Sequence, residues 1–205
     1  MIPAEQNRPQ TQEQRRNFRT AARFLDPDQM VFLDESGAKT NMTRLYGRAP
    51  KGQRCNFSNA HGNWTSMTML SAMRSTGVIE GATFLFDGPM NAPTFLQYVE
   101  NHLAPALSPG DVVIMDNLSS HKAVGVRAAI EAVGADLWFL PPYSPDLNPI
   151  EKLWSKIKTG LKRVAARTYD GVLAAMRATF RSVTTTECRN YVAASGYDKR
   201  LRKLL

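Results

Sequence analysis

Between Gly110 and Asn117 the chain reads GDVVIMDN, an unbroken apolar run closed by an aspartate. A strand of this kind turns neither face to water, so it requires a sheet covered by helices on both sides. A helical pattern from about Ser119 to Val133 follows, closed by Gly134 as a C-cap, and ADLWFL (135–140) is a further short strand. Upstream, MVFLDES (Met30 to Ser36) reads as a short buried strand ending in acids. NWTSMTMLSAM (63–73) and VIEGATFLF (78–86) read as strands joined by the turn RSTG, a hairpin. A helix is expected from Asn91 to Leu103, with Phe95, Tyr98 and Val99 on its inner side. This order predicts an α/β fold: a mixed five-stranded sheet, an antiparallel meander of three strands plus two parallel strands, flanked by helices. If the strand ending at Asp116 lies parallel to and beside the one ending at Asp34, their acids emerge at one sheet edge, where open α/β sheets place their sites.

The stretch LPPYSPDLNPIEKLWSKIK (140–158) is the second constraint. Prolines 141, 142, 145 and 149 each fix their own φ and push the preceding residue towards extended geometry. Asn148 is a good N-cap and Pro149 suits the first helical position. Ile150, Leu153, Trp154, Ile157 and Leu161 then form an apolar stripe. Glu151, Ser155, Lys158 and Lys162 share the neighbouring flank, free to face a cleft. Two readings of Glu151 are open here: a carboxylate aimed by a rigid corner, or the closing member of an Asn148-x-x-Glu151 capping box.

Asp34, Asp116 and Glu151 thus stand at three stiff or guided positions. Three carboxylates held together repel one another unless a cation sits among them. Oxygen donors of this kind suit Mg²⁺ or Mn²⁺, and two such ions about 4 Å apart clamp the attacking and leaving oxygens of a phosphodiester. Each acid also has a local alternative. Asp34 can cap a turn at Ser36-Gly37, Asp116-Asn117 can form an Asx turn, and Glu35 is a rival ligand that strand alternation points away from Asp34. Asp146 rivals Glu151 but reads as a turn residue. Trp64, Trp138 and Trp154 are read as core.

Composition narrows the classes. The chain has 205 residues, enough for one ordinary domain, and 43% hydrophobic content without an apolar run long enough for a membrane span. The N-terminus is polar and unlike a secretory signal. Cys55 and Cys188 are too few for a disulfide framework or a zinc site, which points to the cytosol. The net charge of +8 is uneven. Residues 1–150 carry 13 Lys/Arg against 14 Asp/Glu, whereas residues 151–205 carry 13 against 4. Such a block is either a solvated helix face or a surface for a polyanion.

FLDES, MDNLSSH and LPPYSPDLNPIEKLWSKIK resemble the three catalytic blocks of DDE transposases, specifically the bacterial insertion-sequence branch of the mariner-type superfamily. The 34 residues between Asp116 and Glu151 match the spacing of that branch, and the resemblance runs from about Met30 to Tyr197. It implies a ribonuclease-H-like fold, a catalytic and metal-binding triad of Asp34, Asp116 and Glu151 with two Mg²⁺ or Mn²⁺ ions, and cut-and-paste DNA transposition. By the same resemblance Asn117 and His121 belong to the second block, His121 either bonding locally or touching DNA or a metal-bound water. TNMTRLYGRAPKG, with Arg44, Arg48 and Lys51, resembles a loop that contacts DNA or the partner subunit; its other reading is an ordinary basic surface hairpin. Lys152, Ser155, Lys158 and Lys162 are the expected backbone contacts on the third block. The implied partners are element-end and target DNA, and a second copy of the chain on paired DNA ends.

The expected organisation is a polar arm or linker running into a short helix over residues 1–28, a catalytic domain over 29–185 and a basic, partly helical tail over 186–205. Members of the family carry N-terminal helix-turn-helix modules, for which 205 residues leave no space, so recognition is expected from a separately encoded segment or is lost in this copy. The expected site of action is the bacterial cytoplasm, on the nucleoid. Two other functions remain open: a silent DNA-binding or assembly protein, and a purely hydrolytic nuclease of the same fold.

Overall fold

A computed structural model describes residues 4–56, 64–118, 120–122 and 124–198. Five strands form one sheet in the order β3-β2-β1-β4-β5: β1 Met30–Lys39, β2 Ser66–Arg74, β3 Gly77–Asp87, β4 Val112–Met115 and β5 Asp136–Phe139. β1, β2 and β3 pair antiparallel, and β1-β4 and β4-β5 pair parallel. This is the expected meander plus two parallel strands, with β1 at the centre and β4 beside it, wholly buried.

Alternation along the strands splits the core into two halves. Met30, Phe32, Val112 and Ile114 face one side, where they meet α4 (Ile150–Val164), α5 (Tyr169–Arg181) and α6 (Thr185–Ala194). Val31, Leu33, Val113 and Met115 face the other, against α2 (Ala92–Tyr98) and α3 (Val126–Glu131). The expected stripe of Ile150, Leu153, Trp154, Ile157 and Leu161 is buried throughout. Asn91 caps α2 by accepting from the Thr94 amide at 2.9 Å, and Phe95, Tyr98 and Val99 are buried as anticipated.

Three local expectations give way. β1 does not stop at Ser36 but runs to Lys39, because its second half pairs with β2 from Asp34↔Ser71 to Lys39↔Ser66. No turn forms at Ser36-Gly37, so Asp34 caps nothing there. The helix expected over 119–133 is only α3, preceded by a 3-10 turn at Ser120–Lys122; Gly125 separates them in the left-handed region at φ 100°, and residues 119 and 123 lie outside the described set. Trp64 is 55% exposed, while Trp138 packs edge-on against Phe18 and Trp154 is fully buried. The short helix expected within residues 1–28 is α1 (Pro9–Ala22), with Thr11, Arg15 and Ala22 buried.

The segment after α5, expected to be basic and partly helical, is helical over α6. Thr184 and Glu187 form a full capping box at the start of α6. The boundary expected at residue 185 therefore coincides with the first residue of α6, whose Cys188 and Val192 are in the core. Residues 199–205 of the expected tail and Asn63 of the expected second strand lie outside the described set.

Candidate active site

Register places the acids. Phe32 of β1 pairs with Ile114 of β4, and Asp34 and Asp116 each stand two residues further along. Two residues is one strand period, so both aspartates continue the face of the sheet that Phe32 and Ile114 present to α4. Glu151, in the first turn of α4, is carried to the same place by the proline corner. All three carboxylates line one cavity of about 500 Å³, together with Asn117, Leu118, Tyr143, Ser144, Asn148 and the prolines 141, 142 and 145. Glu35 has the opposite parity and lies away from Asp34, as alternation requires.

The capping box expected at Asn148 does not form. No side chain caps α4, Pro149 already has helical angles, and the Glu151 amide bonds the backbone oxygen of Asn148 at 3.2 Å. Glu151 is exposed and points its charge into the cleft; partial burial raises its carboxyl, Lys158 opposes the rise and Asp116 adds to it. The side-chain oxygen of Asn148 is buried without a hydrogen-bond partner among the described residues.

Asp34 is held by a group that the motif did not advertise, and Asp116 by the two local contacts that the sequence allowed. Trp154, read only as core, donates its indole nitrogen to Asp34 Oδ2 at 3.1 Å. Asp34 is 7% exposed. Burial, then the charges of Glu151 and Asp116, push its carboxyl from 3.8 up to about 7. Asp116 accepts from the Leu118 amide at 3.2 Å, so the Asx turn is real, and its Oδ1 is paired with Nδ1 of His121 at 2.5 Å. His121 is fully buried against Phe95, ring centroids 4.4 Å apart, and presents no surface to DNA. Burial pulls the imidazole down, but its hydrogen bond and charge contact with Asp116, with help from Glu35, hold it above its ordinary value. Both Nε2 of His121 and Oε2 of Glu35 are buried without a partner among the described residues.

The remaining candidates divide by position. Arg44, Arg48 and Lys51 are exposed on the loop after β1. Ser155 and Lys162 are exposed and Lys158 half-buried on the Glu151 flank of α4, and Asn117 is exposed at the rim of the cavity. Lys152 stands apart: its Nζ donates to Ser195 Oγ of the segment after α6 at 2.8 Å, and desolvation lowers its ammonium. One residue further round the helix than Glu151, it faces the protein. A second cavity of about 440 Å³, between β3 and α5, carries a single acid, Glu80.

The donor set suits a hard divalent cation: oxygen ligands only, mutually repelling, with an unpartnered amide oxygen nearby. The acids ring an open cleft instead of forming a cage, and among the described residues no group of three or more His, Cys, Asp or Glu side chains is tight enough to hold an ion.

Residues 29–172 match the family model described as DDE superfamily endonuclease. The chain belongs to that family. The match spans all three acids and ends inside α5. Solved structures agree in fold. The Mos1 transposase paired-end complex with left transposon end matches at 22% identity and TM-score 0.74, covering 96% of this chain and 65% of that one. The Mos1 strand transfer complex matches at 23% and 0.73, covering 94% and 60%. The catalytic domain of Mos1 mariner transposase matches at 20% and 0.68, covering 94% and 91%. The ribonuclease-H-like sheet flanked by helices is thus shared with that catalytic domain, and the chain spans about two-thirds or less of the transposases in the complexes. No curated protein sequence matches the chain. Among the described residues no helix is long and apolar enough to cross a membrane.

Proposed function

We propose that this chain is the catalytic domain of a transposase, an endonuclease and strand transferase acting on DNA. The observation that carries the reading is the convergence of Asp34, Asp116 and Glu151 on one cleft from three separate elements, one acid pushed up to about 7 by burial and then by the other two. Mg²⁺ or Mn²⁺, two ions per site, would be held by these carboxylates and would supply Lewis-acid stabilisation of the attacking and leaving oxygens. Trp154 orients the carboxylate of Asp34, and His121 with the Leu118 amide orients that of Asp116. Glu151 comes from a helix and completes the set. Prolines 141, 142 and 145, with Leu140, keep one wall of the cleft apolar and limit water there.

Water attacks a phosphodiester at the element's end, releasing a 3′-hydroxyl, and that hydroxyl then attacks target DNA with loss of the target's own 3′ oxygen. Each step exchanges one phosphodiester bond for another or for water, and no covalent protein intermediate is required. Ser155, Lys158, Lys162, Asn117, Arg44, Arg48 and Lys51 would meet the DNA backbone. A homodimer on paired ends, a separately encoded helix-turn-helix segment and action on the bacterial nucleoid in the cytoplasm complete the proposal, as does the division into an N-terminal arm, a catalytic domain and a basic C-terminal tail. Relatives in the same fold are named as paired-end and strand-transfer complexes, two of them with Mn or Mg.

The test is cleavage of labelled element-end DNA in Mg²⁺ against EDTA. Wild type should nick only with the metal, and Asp34→Ala, Asp116→Ala and Glu151→Ala should each abolish nicking while remaining folded. Equal binding in both buffers with no cutting would identify a silent DNA-binding protein, and nicks without joined products a purely hydrolytic nuclease.

A further inference from the structure

The proline corner is fastened to the N-terminal helix. Arg15, almost fully buried in the largely polar α1, sends both terminal nitrogens to Asp146: Nη1 to Oδ1 at 2.9 Å and Nη2 to Oδ2 at 2.7 Å. Arg19 reaches the same carboxylate at 3.3 Å. Gln6 donates to Oδ1 at 3.1 Å and to the Tyr143 backbone oxygen at 2.9 Å. Asp146 lies in the 3-10 turn Pro145–Leu147, directly before the residues that launch α4. From the other side, the hydroxyl of Tyr197 donates to the Leu147 oxygen at 2.7 Å, and its ring packs on Phe32 with centroids 5.1 Å apart.

Stability alone gives no reason for this arrangement. Asp146 is half-exposed, and an ion pair with one partner in water contributes little to stability. A guanidinium fork on a carboxylate does something else: two parallel bonds set position and orientation together. The corner needs that, because Tyr143 sits at φ 55°, a conformation a bulky residue keeps only when its surroundings impose it. Four prolines stiffen the corner but do not say where it sits against the sheet; the contacts from α1 and Tyr197 do.

We propose that Arg15 is a positioning residue of the acidic cleft: its fork on Asp146 fixes the proline corner, and through it the placement of Glu151 opposite Asp34 and Asp116. α1 is then a working part of the site. The proposal rests on the nuclease reading for its meaning, but its first readout does not require cutting.

Arg15→Gln, Asp146→Asn and the exchanged pair Arg15→Asp with Asp146→Arg are compared in the full chain. Amide hydrogen exchange is followed over residues 143–155, and Mn²⁺ affinity is measured by calorimetry without DNA. Each single variant should speed exchange in that segment while β1 and β4 keep their protection, and should weaken Mn²⁺ binding by about tenfold. The exchanged pair should recover both. Single variants that keep wild-type exchange would overturn the proposal, as would a loss of protection spread evenly over the sheet. If Arg15→Gln fails to fold, Arg15→Lys retains the charge without the fork: faster local exchange supports the proposal, and wild-type exchange overturns it. A wild-type chain that binds no Mn²⁺ would refute the nuclease reading, while the exchange data would still decide the role of Arg15.

Discussion

The indole nitrogen of Trp154 donates a hydrogen bond to the carboxylate of Asp34 across 3.1 Å, linking the buried stripe of α4 to the acid on β1. The same helix therefore supplies Glu151 on its open flank and a fixed donor for Asp34 on its buried one. Trp154→Phe keeps most of the packing and removes the donor. The loss should cost about 1–3 kcal/mol in urea denaturation, the range for leaving a buried acceptor unpaired, and reduce Mg²⁺-dependent nicking by about tenfold. Unchanged nicking would show that Asp34 needs no such support.

Asp34 also makes the stability of the metal-free chain depend on pH. Its carboxyl is raised from 3.8 to about 7, so the fold prefers the protonated acid. The contribution is fully present below about pH 4 and is lost as pH climbs from there to about 7. Asp34→Asn removes the charge, so in EDTA its melting temperature should exceed that of wild type at pH 8, by an amount worth a few kcal/mol, with the two converging towards pH 4. Adding Mn²⁺ at pH 8 should raise the wild-type midpoint and leave the variant in place. A variant no more stable than wild type at pH 8 would contradict the burial argument.

The two sides of α4 predict different salt behaviour. Lys158 and Lys162 share the Glu151 flank, whereas Lys152 is committed to Ser195. Lys158→Ala and Lys162→Ala should each lower the slope of log affinity against log salt by about one unit in DNA-binding titrations. Lys152→Ala should leave the slope alone and act on stability. A reduced slope for Lys152→Ala would mean that the helix meets DNA on a different face.

At Gly160 α4 packs directly on Thr179 of α5. A Cβ built there would meet Thr179 Oγ1 at 2.4 Å and Cγ2 at 2.7 Å. Gly160→Ala gains about 1 kcal/mol of helix propensity but overpacks the contact, which typically costs about 1–3 kcal/mol. The variant should be no more stable than wild type in thermal melts, and adding Thr179→Ala should raise its melting temperature. A simple gain in stability from Gly160→Ala would show that the helices can move apart freely.

The fold was legible where pattern and period coincide. VVIM announces a strand with no wet face, and the parity of Phe32-Asp34 and Ile114-Asp116 follows once β1 and β4 are placed side by side. The stripe of α4 is legible for the same reason. What escaped depends on partners distant in sequence. β1 continues through Gly37 because β2 pairs with it, although glycine is a poor strand former taken alone. Trp154 reads as an apolar residue until its nitrogen has somewhere to point, and Asp146 reads as a turn residue until Arg15 reaches it. The segment 9–22 looks polar because its inward positions, Thr11, Arg15, Phe18 and Ala22, include only one large apolar residue.

The pairing of β1 with β4 joins segments separated by the whole hairpin and by α2. During synthesis Asp34 leaves the ribosome long before Asp116 and longer still before Glu151. A nascent or prematurely terminated polypeptide that stops short of α4 thus displays scattered, hydrated carboxylates with no cleft to share. The acidic cleft is therefore assembled late in translation, once α4 has emerged.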